Sequence, residues 1–86
     1  MQVSVYDTYV TRTDGSVMHF DILVPSALTS EATIHQYGKA YLATKGQTRQ
    51  SLTTKECQFC HIEQATDEIQ ASISNQGFHI IEMQGC

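Results

Sequence analysis

The residues best equipped for chemistry crowd into one short segment, Cys57-Gln58-Phe59-Cys60-His61, which has the pattern C-x-x-C-H. That spacing is the one by which two thiols and an axial histidine hold a c-type haem. Covalent haem attachment belongs to exported proteins, and the N-terminal Met-Gln-Val-Ser-Val-Tyr-Asp has neither a basic stretch nor an apolar one, so the haem reading is set aside. C-x-x-C also lets two thiolates meet a single zinc or iron ion from a tight turn. Cys57, Cys60, His61 and Cys86 are therefore the expected metal ligands, with His79 or His19 as further donors. The geometry imposes a condition. In an unbroken strand side chains alternate, so Cys57 and Cys60 would face opposite ways, and a shared ion requires a bulge or knuckle between them. A redox disulfide would need its first cysteine at a helix N-terminus, where the dipole lowers the thiol pKa, and the next helix start lies only near Thr66. Plain half-buried thiols are the simplest alternative.

A second constellation, Asp7, Tyr9, His19 and Asp21, is carried by two segments rich in Val, Tyr, Ile and Phe, residues 2–10 and 17–24. Between them lies Thr13-Asp14-Gly15-Ser16, a strong hairpin signal. A two-residue Asp14-Gly15 loop sets Tyr9 opposite Phe20 and Val5 opposite Val24. It gathers Val3, Val5, Tyr9, Met18, Phe20, Ile22 and Val24 on one face, whereas a slip by one residue sets Asp7 against Asp21; the two-residue loop is the expectation. In this register Asp7 falls among apolar residues opposite Ile22, where an unpaired carboxylate is costly. It is expected to cap a helix or to line a pocket with Tyr9. The outer face then holds Tyr6, Thr8 and Val10 beside His19, Asp21 and Leu23. His19 and Asp21 form a candidate base-and-carboxylate pair, with an ordinary solvated patch as the alternative. His35 carries no assigned role.

These residues need elements to hold them. Pro25 ends the second strand, and Thr29 or Ser30 before Glu31 marks a helix start, with the helix running to about residue 45 and Gly46 as its left-handed cap. Its apolar stripe is Ile34, Gly38, Tyr41 and Leu42. Residues 47–54 are polar and read as loop. Residues 55–62 read as a third strand, Thr66-Asp67-Glu68 opens a second helix carrying Ile69 and Ile73 inward, and residues 78–83 form a last, apolar strand after Gly77. The order is ββαβαβ. Two right-handed crossovers would place both helices on one face of a four-stranded mixed sheet, an α+β two-layer sandwich formed by a single domain over residues 1–86.

The chain has 86 residues, of which 41% are hydrophobic, enough for one core and too few for two ordinary domains. Nine acidic residues against five basic ones give a net charge of −4, and the bases form no dense cluster, so no nucleic-acid partner is expected. A local exception is the stretch from Lys39 to Lys55, which holds four bases and no acid and could form a weak anion-attracting rim. The longest aliphatic run is Ile22-Leu23-Val24, against the roughly 20 apolar residues of a membrane span, so no membrane partner is expected either. Three cysteines, an odd number, without an export signal argue for reduced thiols or metal, and for a cytoplasmic location.

The blocks Val5-Tyr6-Asp7-Thr8-Tyr9-Val10, Asp14-Gly15-Ser16-Val17-Met18-His19-Phe20-Asp21, Lys55-Glu56-Cys57-Gln58-Phe59-Cys60-His61-Ile62-Glu63 and Ile80-Ile81-Glu82-Met83-Gln84-Gly85-Cys86 resemble a family of small bacterial proteins classed only as a domain of unknown function. The resemblance spans nearly the whole chain. It implies a compact bacterial α+β domain that usually forms the entire protein, and it assigns no activity, ligand or partner to any residue. The leading functional reading is a small intracellular binding or regulatory module, in which an outer patch of Tyr6, Val10 and Leu23 seats a protein partner or a second copy. The alternative is a zinc, iron or thiol-active protein using the C-x-x-C-H segment and Cys86. An enzyme acting through Asp7, Tyr9, His19 and Asp21 ranks third, since it needs a cleft.

Overall fold

The computed structural model describes all 86 residues. Its elements are β1 (Gln2–Thr11), β2 (Val17–Pro25), α1 (Glu31–Thr44), β3 (Cys57–Gln64), α2 (Asp67–Gln76) and β4 (His79–Gln84). The class is α+β and the ββαβαβ order is as expected. The four strands form one open sheet in the order β3-β1-β2-β4. β1 pairs antiparallel with β2 and β3, and β2 pairs antiparallel with β4, so the sheet is wholly antiparallel and not mixed. The crossover through α1 does deliver β3 parallel to β2. However, β1 already lies between them, and the two parallel strands never meet as neighbours.

The hairpin between β1 and β2 corrects the expected register. Arg12 N–H donates to Ser16 O at 2.7 Å and Gly15 N–H to Arg12 O at 3.0 Å, which closes a three-residue loop, Thr13-Asp14-Gly15, in place of a two-residue one. Gly15 sits at φ +89°, the left-handed conformation that the third position of such a loop demands. The Asp14 carboxylate fastens the turn by accepting from the Ser16 N–H at 2.9 Å and its hydroxyl at 2.6 Å. The extra loop residue slides the pairing by one. Val5 now faces Leu23, Asp7 faces Asp21 and Tyr9 faces His19.

This slip also explains where the helices go. In α1, Ser30 Oγ caps the start by accepting from Thr33 N–H at 3.3 Å, and the helix packs Ile34, Tyr41 and Leu42 against Met18, Phe20, Ile22 and Val24. In α2, Thr66 Oγ1 accepts from Ile69 N–H at 3.3 Å, and Asp67 and Glu68 stand in the first turn against the positive end of the helix. Ile69 and Ile73 then pack on Val3, Val5 and Leu23. Ile22, Leu23 and Val24 are successive residues and all are 0% exposed, so both faces of β2 are covered. The helices therefore lie on opposite faces of the sheet, one layer on each, and the expectation of both on one face does not hold. The expected outer patch is also revised. Val10 and Leu23 are buried and Tyr6 is half-buried, with Tyr6 and Val10 on the α1 face and Leu23 on the α2 face.

Residues 45–56 are irregular but contribute to the core. Leu52 is 3% exposed and rests on Gly38 of α1, where an added methyl would collide with Leu52 Cδ2. Gln47 ties the same segment to the hairpin, its side-chain oxygen accepting from Thr13 N–H at 3.1 Å. No helix is long and apolar enough to cross a membrane.

Candidate functional site

The α2 helix is short and covers only part of its face. Its cluster on the central strands stops at Val5 and Leu23. The next cross-strand pair, Asp7 and Asp21, is half-buried, and beyond it Tyr9 is 50% exposed beside half-buried His19. Because Asp7 and Tyr9 alternate on β1 opposite Asp21 and His19 on β2, the observed register brings all four side chains onto this open half-face. The expected register would have divided them between opposite faces.

Their geometry is tight. His19 Nε2 and Asp7 Oδ1 are 2.5 Å apart, with the side chains 20% and 38% exposed. The Tyr9 ring stacks on the imidazole, centroids 4.1 Å apart and planes within 12°, fixing the histidine from its flat side. Asp7, His19 and Asp21 present one ligand atom each within 4.8 Å of one another. Burial pushes the Asp21 carboxyl above the ordinary carboxylate range. The Asp7 carboxylate adds to this by hydrogen bond and by like charge, while His19 and His61 act the other way. Two carboxylates on adjacent strands are thus held close together, compensated by the His19 imidazole and to a lesser extent by His61, an arrangement suited to a proton or a cation between them.

The cysteine set is dispersed. Cys57 is buried on the α1 face, paired across the strands with Thr8, and its thiol pKa is pushed up chiefly by burial. A bulge does interrupt β3, since Val5 faces His61 while Tyr6 faces Phe59, leaving Cys60 as the extra residue. It does not unite the thiols: Cys60 is exposed, and Cys86 lies half-buried with its thiol 3.4 Å from His19 O. His61 is divided in its attachments, Nδ1 lying 3.2 Å from Cys60 Sγ and Nε2 2.8 Å from Glu63 Oε1, so its two partners sit on different ring nitrogens. His79, the other donor considered, pairs through Nδ1 with Ser72 Oγ at 2.8 Å. Among all His, Cys, Asp and Glu side chains, the one group of three or more that converges in this way is Asp7, His19 and Asp21. Asp7 caps no helix; the α1 cap is Ser30.

With this geometry in view, the chain matches over residues 1–83 a family described as a domain of unknown function, DUF2024. The chain belongs to this family. A solved NMR structure, that of protein NE1680 from Nitrosomonas europaea, is 40% identical, with a TM-score of 0.86 over 100% of this chain and 99% of that one. At that identity and overlap the fold of this DUF2024 chain has an experimental counterpart. No curated protein matches.

Proposed function

We propose that this DUF2024 protein is a small metal-binding module that holds one zinc or ferrous ion between Asp7, His19 and Asp21. The observation that carries the reading is the convergence of three ligand atoms within 4.8 Å on the part of the sheet that α2 leaves open. A divalent cation would replace the repulsion between two carboxylates with two attractions, and the imidazole favours zinc or iron over magnesium or calcium. Three protein ligands leave further coordination positions free, the arrangement of sites that also bind water or a small ligand. Tyr9 stacked on His19 restrains the ring orientation, as supporting groups do in metal centres. The metal reading thereby moves from the cysteines to the hairpin.

The test is a calorimetric titration with zinc chloride of the wild-type protein and of Cys60→Ser, Asp7→Asn and His19→Ala. The reading expects one ion per chain, retained in Cys60→Ser and weakened by at least about tenfold in the other two, in line with loss of a ligand or its orienting partner. Binding lost in Cys60→Ser and kept in Asp7→Asn would return the site to the cysteines.

A further inference from the structure

On the opposite face of β1 from Asp7, a cleft of about 330 Å³ opens between the first turns of α1 and the edge strand β3. Its size lies at the lower end of the range for small-molecule sites, roughly 300–1,000 Å³. Ile34 and Cys57 are its buried apolar members. The rings of Tyr6 and Phe59 stand edge to face at 73° with centroids 5.7 Å apart, so one group can lie within about 6 Å of both. Phe59 is 54% exposed although the strand gives it a neighbouring aromatic, which leaves part of its surface free.

The charge of the lining is one-sided. Glu31 is the only carboxylate among the lining residues, and no lysine or arginine borders the cleft. Glu31 makes no salt bridge, the three in the molecule being formed by other residues. Its negative charge reaches the interior, where it adds to the rise that burial gives the Cys57 thiol. The positive end of α1 opposes this field only in part, because a full carboxylate charge at the first helical position exceeds the half charge of a helix terminus. His35, on the following turn, supplies a polar edge.

We propose that this cleft binds a small organic ammonium ion, its cationic head between the Tyr6 and Phe59 rings and paired with Glu31, and its carbon body against Ile34 and Cys57. The site is separate from the hairpin cluster and does not depend on metal at Asp7. Cys57 serves as an apolar wall and not as a nucleophile, since a buried thiol of raised pKa holds little thiolate.

The experiment is an amide NMR titration of the full chain with benzyltrimethylammonium chloride and, as a probe of similar size and opposite charge, sodium phenylacetate. Saturable shifts are expected at Glu31, His35, Thr54 and Gln58 with the ammonium probe and none with phenylacetate. Glu31→Gln should weaken binding by about fivefold or more, and Phe59→Leu, at an exposed position that leaves the charge in place, by a similar factor. Asp7→Asn should bind the probe as the wild type does. Equal shifts with phenylacetate, unchanged affinity in both variants, or no saturable shift at these residues would each overturn the proposal.

Discussion

Replacing Asp21 by Asn should make the metal-free protein more stable while removing its ability to gain stability from zinc. The two carboxylates approach within 4.8 Å. Two unit charges at that separation repel by about 1 kcal/mol under water-like screening and by about 3–4 kcal/mol at an effective dielectric of about 20. Asp7 is 38% exposed and His19 supplies partial compensation, so the lower figure applies. Asn keeps the size of the side chain and offers Asp7 a donor, so a gain of about 1 kcal/mol at neutral pH is expected, or about 4–8 °C in Tm for a domain of this length. The pH dependence has a definite sign. A carboxyl whose pKa is raised on folding contributes stability below its unfolded pKa, and loses that contribution as pH rises through its folded pKa. The wild type should therefore lose stability from the ordinary carboxylate range upward through the raised value, and Asp21→Asn should show a smaller fall. Urea unfolding at a series of pH values, with and without zinc, measures all of this. The reasoning is refuted if Asp21→Asn is less stable than the wild type by 1 kcal/mol or more at neutral pH, which is about the size of the predicted gain with its sign reversed, or if it retains the full wild-type fall with pH.

Further predictions concern the fold and its thiols. With a chromogenic disulfide, native protein should show Cys60 reacting at once and Cys57 only on unfolding, since the former is exposed and the latter 4% exposed; fast reaction of all three thiols would contradict the packing. Leu52→Ala should cost about 2–4 kcal/mol in urea unfolding, as for other buried leucines. Gly38→Ala should destabilise the wild type by about 1–3 kcal/mol through its clash with Leu52. In the Leu52→Ala background, where only the 3.0 Å approach to Ile22 Cδ1 remains, the same change should cost clearly less than in the wild type, with the helix preference of Ala over Gly offsetting up to about 1 kcal/mol. Equal effects in the two backgrounds would show that Leu52 does not occupy the space above Gly38.

The elements were legible because each has local punctuation. Ser30 and Thr66 cap the two helices, Gly77 ends the second in the left-handed conformation, and the strand segments carry their own apolar patterns. The register was not legible, because Asp14-Gly15 suits a two-residue loop as well as the last two positions of a three-residue one, and the apolar pattern seemed to favour the former. The pattern misled because β2 is buried on both sides. Ile22, Leu23 and Val24 all belong to cores, but to different ones, so seeking a single apolar face selected the wrong pairing. The same slip decided the site. Asp7 opposite Asp21 looked like a penalty to avoid, and in the structure this pair is the centre of the one converging ligand cluster. The C-x-x-C-H pattern stands out by spacing alone, and even with the bulge at Cys60 its thiols stay apart in exposure, Cys57 buried and Cys60 exposed. Leu52 gives no signal in the sequence because it is a lone apolar residue in a polar stretch, and only tertiary packing on Gly38 gives it a place.

The most direct measurement is an anomalous difference map at the zinc absorption edge, from crystals of the wild-type protein grown with one equivalent of zinc. The account predicts one strong peak at the open half of the sheet, about 2.0–2.2 Å from His19 Nε2 and from carboxylate oxygens of Asp7 and Asp21. A peak held by Cys60 and His61, or no peak at the hairpin while zinc is present in the crystal, would contradict it.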